Sequence, residues 1–279
     1  MGLILPPAAF TQYESSSTVP STAQGAVVTA HSTIHTKGTY TELIAATAFD
    51  SYLVEVFMSE VGAGTTATAA LVDIAIGAAA SETDIISNLN AGAAAIFAGA
   101  NVQPAGQKYT FPLYIPAGSR VSARCQALIS SDTVNVLVRL WGGPTAPVWA
   151  GQQVTTYGAN TATSLGVAVA QGVSDAEGSW TEITSSSTAP MSWLSWGVGM
   201  NADTTVQGGY NYLDVGVGSA TETAVMENFN YRTGTGEQIS YAGSAGAPVS
   251  IPAGERIVAR TSRDTGGPES HDVILYGVS

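Results

Sequence analysis

Hydrophobic and polar positions along this chain alternate in short runs with a period of two, the mark of half-buried β-strands. The runs are rich in Val, Ile, Thr and Tyr and are broken by Gly, Pro, Asn and Ser, residues that end strands and open turns. They predict strands over residues 26–31, 39–44, 52–59, 70–76, 109–115, 119–128 and 134–141. A second set is predicted over 166–170, 179–184, 193–200, 210–217, 247–251, 255–261 and 273–276. Residues 83–89 fit either one helical turn or a short strand. No stretch sustains the 3.6-residue spacing of an amphipathic helix, so helix is expected to be minor.

The two sets are copies of one another. Ile115-Pro116-Ala117-Gly118-Ser119-Arg120-Val121-Ser122-Ala123-Arg124 returns as Ile251-Pro252-Ala253-Gly254-Glu255-Arg256-Ile257-Val258-Ala259-Arg260. Gly38-Thr39-Tyr40-Thr41-Glu42-Leu43 matches Gly178-Ser179-Trp180-Thr181-Glu182-Ile183, and Leu71-Val72-Asp73-Ile74-Ala75-Ile76-Gly77 matches Tyr212-Leu213-Asp214-Val215-Gly216-Val217-Gly218. Glu82-Thr83 with Asn88-Leu89-Asn90 matches Glu222-Thr223 with Asn228-Phe229-Asn230, and Leu140-Trp141-Gly142 matches Leu275-Tyr276-Gly277. Blocks repeated in the same order, with small drifts in register, establish an internal duplication. In the anchor block, Pro suits the second position of a type I turn and Gly the fourth. Alternation after that turn places Val121 and Ala123 on one sheet face and Arg120, Ser122 and Arg124 on the other.

The expected fold is therefore all-β: two tandem jelly-roll or immunoglobulin-like β-sandwich domains preceded by an N-terminal arm. The arm is residues 1–20, the first repeat 21–142, a linker 143–160 stiffened by Pro144 and Pro147, and the second repeat 161–279. Each copy has roughly 120 residues, enough to bury a core of its own. The arm opens with the apolar Leu3, Ile4 and Leu5 and then loses all periodicity, so it is expected to be either disordered or ordered by lying on a neighbouring subunit.

Composition narrows the function. Only 11% of residues are charged, against about 25% in ordinary soluble domains, and such a surface suits close subunit packing. The net charge is −12, with nine acidic and five basic residues in 1–142 and twelve and four in 143–279. A polyanion would be repelled by either half, which argues against nucleic-acid binding. A single cysteine, Cys125, excludes an intrachain disulfide. The opening residues lack a basic segment and a long enough apolar run for a signal peptide, and Pro6 breaks the myristoylation pattern. No apolar run approaches the roughly 20 residues of a membrane helix, so the chain is expected to be soluble and not exported by its own signal.

Candidate chemistry is sparse. His31 and His35 have the spacing of a helical zinc pair, but on a strand four residues span about 13 Å, too far to share one ion. Asp73, Glu82, Asp214 and Glu222 recur beside Gly, which could suit calcium. Turn capping by Asp and pairing of Glu with an anchor arginine is the favoured reading. Arg120 with Arg124, and Arg256 with Arg260, share a sheet face and fit either an acidic neighbour subunit or internal ion pairs. Trp193 and Trp196, with Trp180, Tyr210 and Tyr212, enrich the second copy in aromatics that either form core or, if exposed, hold a sugar or a partner. Gly243-Ser244-Ala245-Gly246 is no nucleophile elbow, Gly216-Val217-Gly218 lies within a strand, and the three histidines do not recur between copies. No catalytic, cofactor-binding or metal-binding residue is assigned, and the candidate interface comprises Arg120, Arg124, Arg256, Arg260, Trp193, Trp196, Leu3, Ile4 and Leu5.

The combined pattern, a G-x-[WY]-T-E opening, an L-x-D-[IV]-x-[IV]-G strand and the I-P-A-G-x-R-[IV]-x-A-R anchor, resembles repeats in structural proteins of tailed-bacteriophage virions. The resemblance covers roughly residues 21–142 and 161–277. It implies a non-enzymatic virion protein assembled in the host cytoplasm, first of all a capsid decoration or cement protein. Its partners would be other virion proteins, the major capsid protein foremost, and copies of itself, with a trimer favoured. A tail or head fibre that binds the host surface or its glycans is the alternative. The resemblance implies no cofactor, and neither nucleic acid nor membrane as direct partner.

Overall fold

The computed structural model describes residues 11–14, 25–59, 69–92, 107–142, 150–200, 209–234, 238–241, 246–264 and 269–279. Every regular element among them is a strand. The first repeat holds β1 (Thr11–Glu14), β2 (Ala26–Thr29), β3 (Thr41–Ile44), β4 (Ser51–Ser59), β5 (Ala69–Ile76), β6 (Thr83–Gly92), β7 (Gln107–Phe111), β8 (Val121–Ala127) and β9 (Thr133–Gly142). The second holds β10 (Val154–Tyr157), β11 (Val167–Ala170), β12 (Thr181–Thr184), β13 (Met191–Met200), β14 (Gly209–Val217), β15 (Thr223–Gly234), β16 (Gln238–Tyr241), β17 (Ala247–Ile251), β18 (Ile257–Arg263) and β19 (Ser270–Val278). The ambiguous stretch 83–89 is strand, within β6.

In the first repeat β2-β9-β4-β7 form one sheet and β3-β8-β5-β6 the other. The second repeat follows the same order, β11-β19-β13-β17 against β12-β18-β14-β15, with β16 added beyond β15. This order is that of a jelly roll, in which two Greek keys wind into facing sheets. Of the two sandwich types expected, the jelly roll is the one built.

Two segments differ from expectation. Residues 11–14, assigned to the arm, form β1 on β9 of their own chain, Thr11 opposite Gly142 and Glu14 opposite Arg139. Residues 154–157, assigned to the linker, form β10 on β19, Val154 opposite Val278 and Tyr157 opposite Leu275. These strands are counterparts, but they share only Thr11 with Thr155 and Tyr13 with Tyr157, too little for a self-match to reveal. Leu3, Ile4 and Leu5 lie outside the described residues.

The anchor turn also sits one residue later than its sequence suggests. The hydrogen bond closing it runs from the Ser119 N–H to the Pro116 carbonyl. That puts Gly118 third in the turn, at φ +78°, and Gly254 takes the same place at φ +91°. A Cβ would meet nothing within 4 Å at either site, so the left-handed backbone, not space, demands glycine there.

Each repeat has its own apolar cluster. The first contains Val54, Val56, Leu71, Ile74, Phe111, Val121, Val136 and Val138, and the second Val169, Leu194, Trp196, Leu213, Val215, Ile257, Val273 and Leu275. Alternate residues of β19, Ile274, Tyr276 and Val278, instead join the first cluster, as does Val154. Thus β19 is buried on both faces while its counterpart β9 alternates between buried and half-buried. The connection is completed by β10, which lies parallel to β6 with Val154 opposite Ile86. One nine-stranded sheet therefore runs through both repeats.

Candidate functional site

The anchor arginines are built into twin clusters. Arg120 reaches Glu42 at 2.8 Å and Glu82 at 2.9 Å. Arg256 reaches Glu182 at 2.7 Å and Glu222 at 3.0 Å. Arg124 Nε meets Asp73 at 2.9 Å, and Arg260 Nε meets Asp214 at 2.9 Å. The strand order places these partners together: β8 runs between the strands carrying Glu42 and Asp73, and β18 between those carrying Glu182 and Asp214, while Glu82 and Glu222 stand in the turns leading into β6 and β15. Asp73 and Asp214 also accept the N–H of Asn88 (2.8 Å) and Asn228 (2.7 Å). Both asparagines have positive φ, so each aspartate pins the bulge of the neighbouring strand. Tyr40 and Trp180, matched in sequence, lie under Arg124 and Arg260, with ring centroids 4.6 and 4.3 Å from the guanidinium carbon.

The clusters differ at two pairs of positions: Asp84, which binds Arg124, has Ala224 as its counterpart, and Lys37 has Glu177. In the first repeat Lys37 Nζ lies 2.7 Å from Asp73 and hydrogen-bonds the Leu71 carbonyl and Asn88. Burial holds this lysine below its ordinary pKa, against the pull of Asp73. The second repeat has Glu177 there, ion-paired with Arg260. Burial, and then Asp214 beside it, raise the Glu177 pKa.

A polar cleft of roughly 590 Å³ opens where the repeats meet, bordered by Lys37, Asp73, Asp84, Asn88, Arg124 and Gln126. Gln126 donates to the Thr161 carbonyl at 2.6 Å and to Ser164 at 3.0 Å, and His35 bonds Ser164 at 3.0 Å. Asp84 is taken by Arg124 at 2.7 Å and by the Tyr40 hydroxyl at 2.6 Å. The cleft's charges satisfy one another, and its chemistry is that of a joint. Deeper in, the Tyr276 hydroxyl accepts from the Asn90 N–H at 2.8 Å and donates to the Asn88 carbonyl at 3.1 Å. The Tyr276 ring meets Tyr109 edge-on. At Gly197 of β13 an added Cβ would lie 2.7 Å from the Tyr109 hydroxyl and 3.1 Å from Asn90, so only glycine lets the repeats approach this closely.

Neither family models nor curated proteins match this chain.

The other sequence candidates fall as follows. His31 accepts the Thr33 N–H while His35 faces Ser164, so the two have different partners. Among the described residues no three His, Cys, Asp or Glu side chains are grouped to hold a metal. Trp196 is 5% exposed and packs on Phe229, and Trp193 is half-buried against the first repeat's cluster. Burial pushes the Cys125 thiol up to about 12, far from reactive.

One polar group escaped the sequence reading. Gln171, Asn211, Tyr231, Arg263 and His271 are buried together, where the first repeat has His31, Ala70, Ala91, Ala127 and Val136. His271 Nδ1 receives Gln171 Nε2 at 3.2 Å and lies 2.5 Å from the Tyr231 hydroxyl. Burial, helped by Arg263, pulls the His271 pKa down to about 4, while burial pushes neighbouring Asp272 up to about 7. The consequences for stability oppose each other. Neutral His271 contributes stability that is lost as pH falls from 6.5 toward 4. Protonated Asp272 contributes stability that is lost as pH rises from 3.8 toward 7. Asp272→Asn is therefore expected to unmask the histidine, with melting temperature falling on acidification through that window more steeply than in the unaltered protein. Superimposable pH profiles would contradict the assignment.

Proposed function

We propose that this chain is a non-enzymatic structural protein of a tailed-bacteriophage virion, which decorates and cements the capsid by contact alone. The observation that carries this reading is the sheet running through both jelly rolls and buried on both faces at β19, which makes a stiff two-module body. The anchor arginines spend their charge on carboxylates of their own repeat, leaving a surface of low charge for packing. The sequence resemblance to virion repeats points the same way. The partners are the major capsid protein and further copies of this chain, joined in a symmetric oligomer during assembly in the host cytoplasm.

Mechanically, such a protein adds buried area across capsomer boundaries and so resists the outward pressure of packaged DNA. A glycan-binding fibre role has less support, because Trp196 is buried and Trp193 is committed to the joint. Capsids lacking the protein are expected to release DNA at a lower temperature, followed by dye fluorescence on heating, and adding it back restores the release point. An unchanged release temperature would overturn the cementing role.

A further inference from the structure

The chain has two lysines, and one of them, Lys37, is held inside the molecule. Its side chain is 18% exposed and borders the cleft beside the joint. It leaves the β2–β3 connection and ends between two strands of one sheet. Its Nζ lies 2.7 Å from Asp73 Oδ1 of β5 and 2.9 Å from Asn88 Oδ1 of β6. The same Asp73 oxygen accepts the Asn88 N–H at 2.8 Å, so one carboxylate holds the amine and the amide together. Asn88 is fixed at φ +56°, where β6 shifts register against β5. A carbonyl bond about 1.2 Å long then puts Nζ roughly 3–4 Å from the Asn88 amide carbon, close to the range from which bonds form.

Burial, and after it Arg124, hold the Lys37 amine below its ordinary pKa against the pull of Asp73, which brings its neutral, nucleophilic form within easier reach. The second repeat supplies a built-in control. It keeps the carboxylate and the amide, with Asp214 accepting the Asn228 N–H at 2.7 Å, but Glu177 takes the place of the amine.

We propose that Lys37 and Asn88 join in an amide cross-link within the chain, with Asp73 moving the protons. Asp73 takes a proton from the Lys37 ammonium, and the freed electron pair of Nζ attacks Asn88 Cγ. The Nζ–Cγ bond forms and the Cγ–Nδ2 bond breaks. Of the three ammonium protons one stays on the new amide nitrogen, and two leave with Nδ2 as an ammonium ion, relayed by Asp73 and released into the cleft. No oxidant or other co-reactant is needed, and the groups react once, so the chain gains no turnover. The link closes residues 37–88 into a loop and pins β6, the strand on which β10 docks. Fewer conformations are then open to the unfolded chain, so linked molecules melt higher than unlinked ones of the same sequence. Linking also turns the Lys37 cation into a neutral amide, so charge comparisons between Asp73 and Asp214 apply to the unlinked chain. A bond within one chain is independent of the capsid role.

The test is intact-mass spectrometry of the full chain, fresh and after prolonged incubation at mildly alkaline pH. Expected is a species lighter by one ammonia that grows with time and melts higher. Trypsin no longer cuts it after Lys37, so residues 1–108 stay in one fragment. A further cut at aromatic residues leaves the peptide bearing Lys37 joined to the one bearing Asn88. Lys37→Arg keeps a cation beside Asp73 without a nucleophilic amine, and should hold its full mass throughout. A chain that keeps its full mass would overturn the proposal. So would an ammonia loss that persists in Lys37→Arg or occurs equally at Asn228, since either marks cyclisation of asparagine alone. Loss of one water in place of ammonia would make Asp73 the joined group and overturn the assignment to Asn88.

Discussion

Arg260→Ala is expected to lower folding stability by about 3–5 kcal/mol, the cost of stranding a buried carboxylate, and Arg124→Ala by clearly less. The two arginines occupy matched positions, but they leave different company behind. Asp73 keeps Lys37 at 2.7 Å, and Asp84, which also loses Arg124, is partly exposed and keeps the Tyr40 hydroxyl. Asp214, whose side chain is 4% exposed, keeps no cation from that position, because Glu177 stands there. Without Arg260 the buried Asp214 is left facing the Glu177 carboxylate with no cation between them, and Glu177, whose pKa burial and Asp214 already raise, takes up a proton more readily. Stability of Arg260→Ala should therefore recover as pH is lowered through the raised carboxylate range, where one of the pair takes up a proton. Urea unfolding at neutral and mildly acid pH measures both effects. Equal losses for the two variants, or a loss indifferent to pH, would show that the Lys37–Glu177 difference carries no weight.

The second large effect is expected at Tyr276. This side chain is fully buried, fills the first repeat's cluster from a strand of the second, and satisfies two backbone groups of β6. Tyr276→Ala should cost about 3–5 kcal/mol through lost packing. Tyr276→Phe, which keeps the ring, should cost about 1–3 kcal/mol because the Asn90 N–H and the Asn88 carbonyl lose their partner. The matched residue Trp141 sits on a half-buried face, so Trp141→Ala should cost less than Tyr276→Ala. Chemical denaturation of the three variants gives the order directly, and Trp141→Ala as the most damaging would reverse the roles of the two faces.

The contrast between Tyr276 and Trp141 also marks how far the sequence could be read. Strand content, the doubling and the arginine–carboxylate pairing were legible because they repeat: Asp73 and Asp214, Glu82 and Glu222, and the two anchor blocks appear twice in the same order. The anchor arginines fitted either a neighbour subunit or internal pairing, and the strand order brings their acids to them from flanking strands and the adjoining turns of the same sheet. What differs between copies was not legible. Gly197 against Glu55, Tyr276 against Trp141 and Lys37 against Glu177 read as noise in a self-alignment, yet they decide which sheet face is buried. β1 and β10 stayed hidden because four-residue strands held chiefly by backbone bonds impose little on side-chain identity. The polar cluster around His271 was missed because its members are far apart in the chain and, Gln171 apart, replace small apolar residues one by one.

The central physical claim is that one sheet serves both cores, so that neither jelly roll is complete without the other. Differential scanning calorimetry of the full chain tests it most directly. A single transition is expected, with the calorimetric enthalpy equal to the van't Hoff enthalpy. Two separable transitions, each close to the enthalpy of an independent domain, would contradict the shared sheet and return the molecule to two modules on a tether.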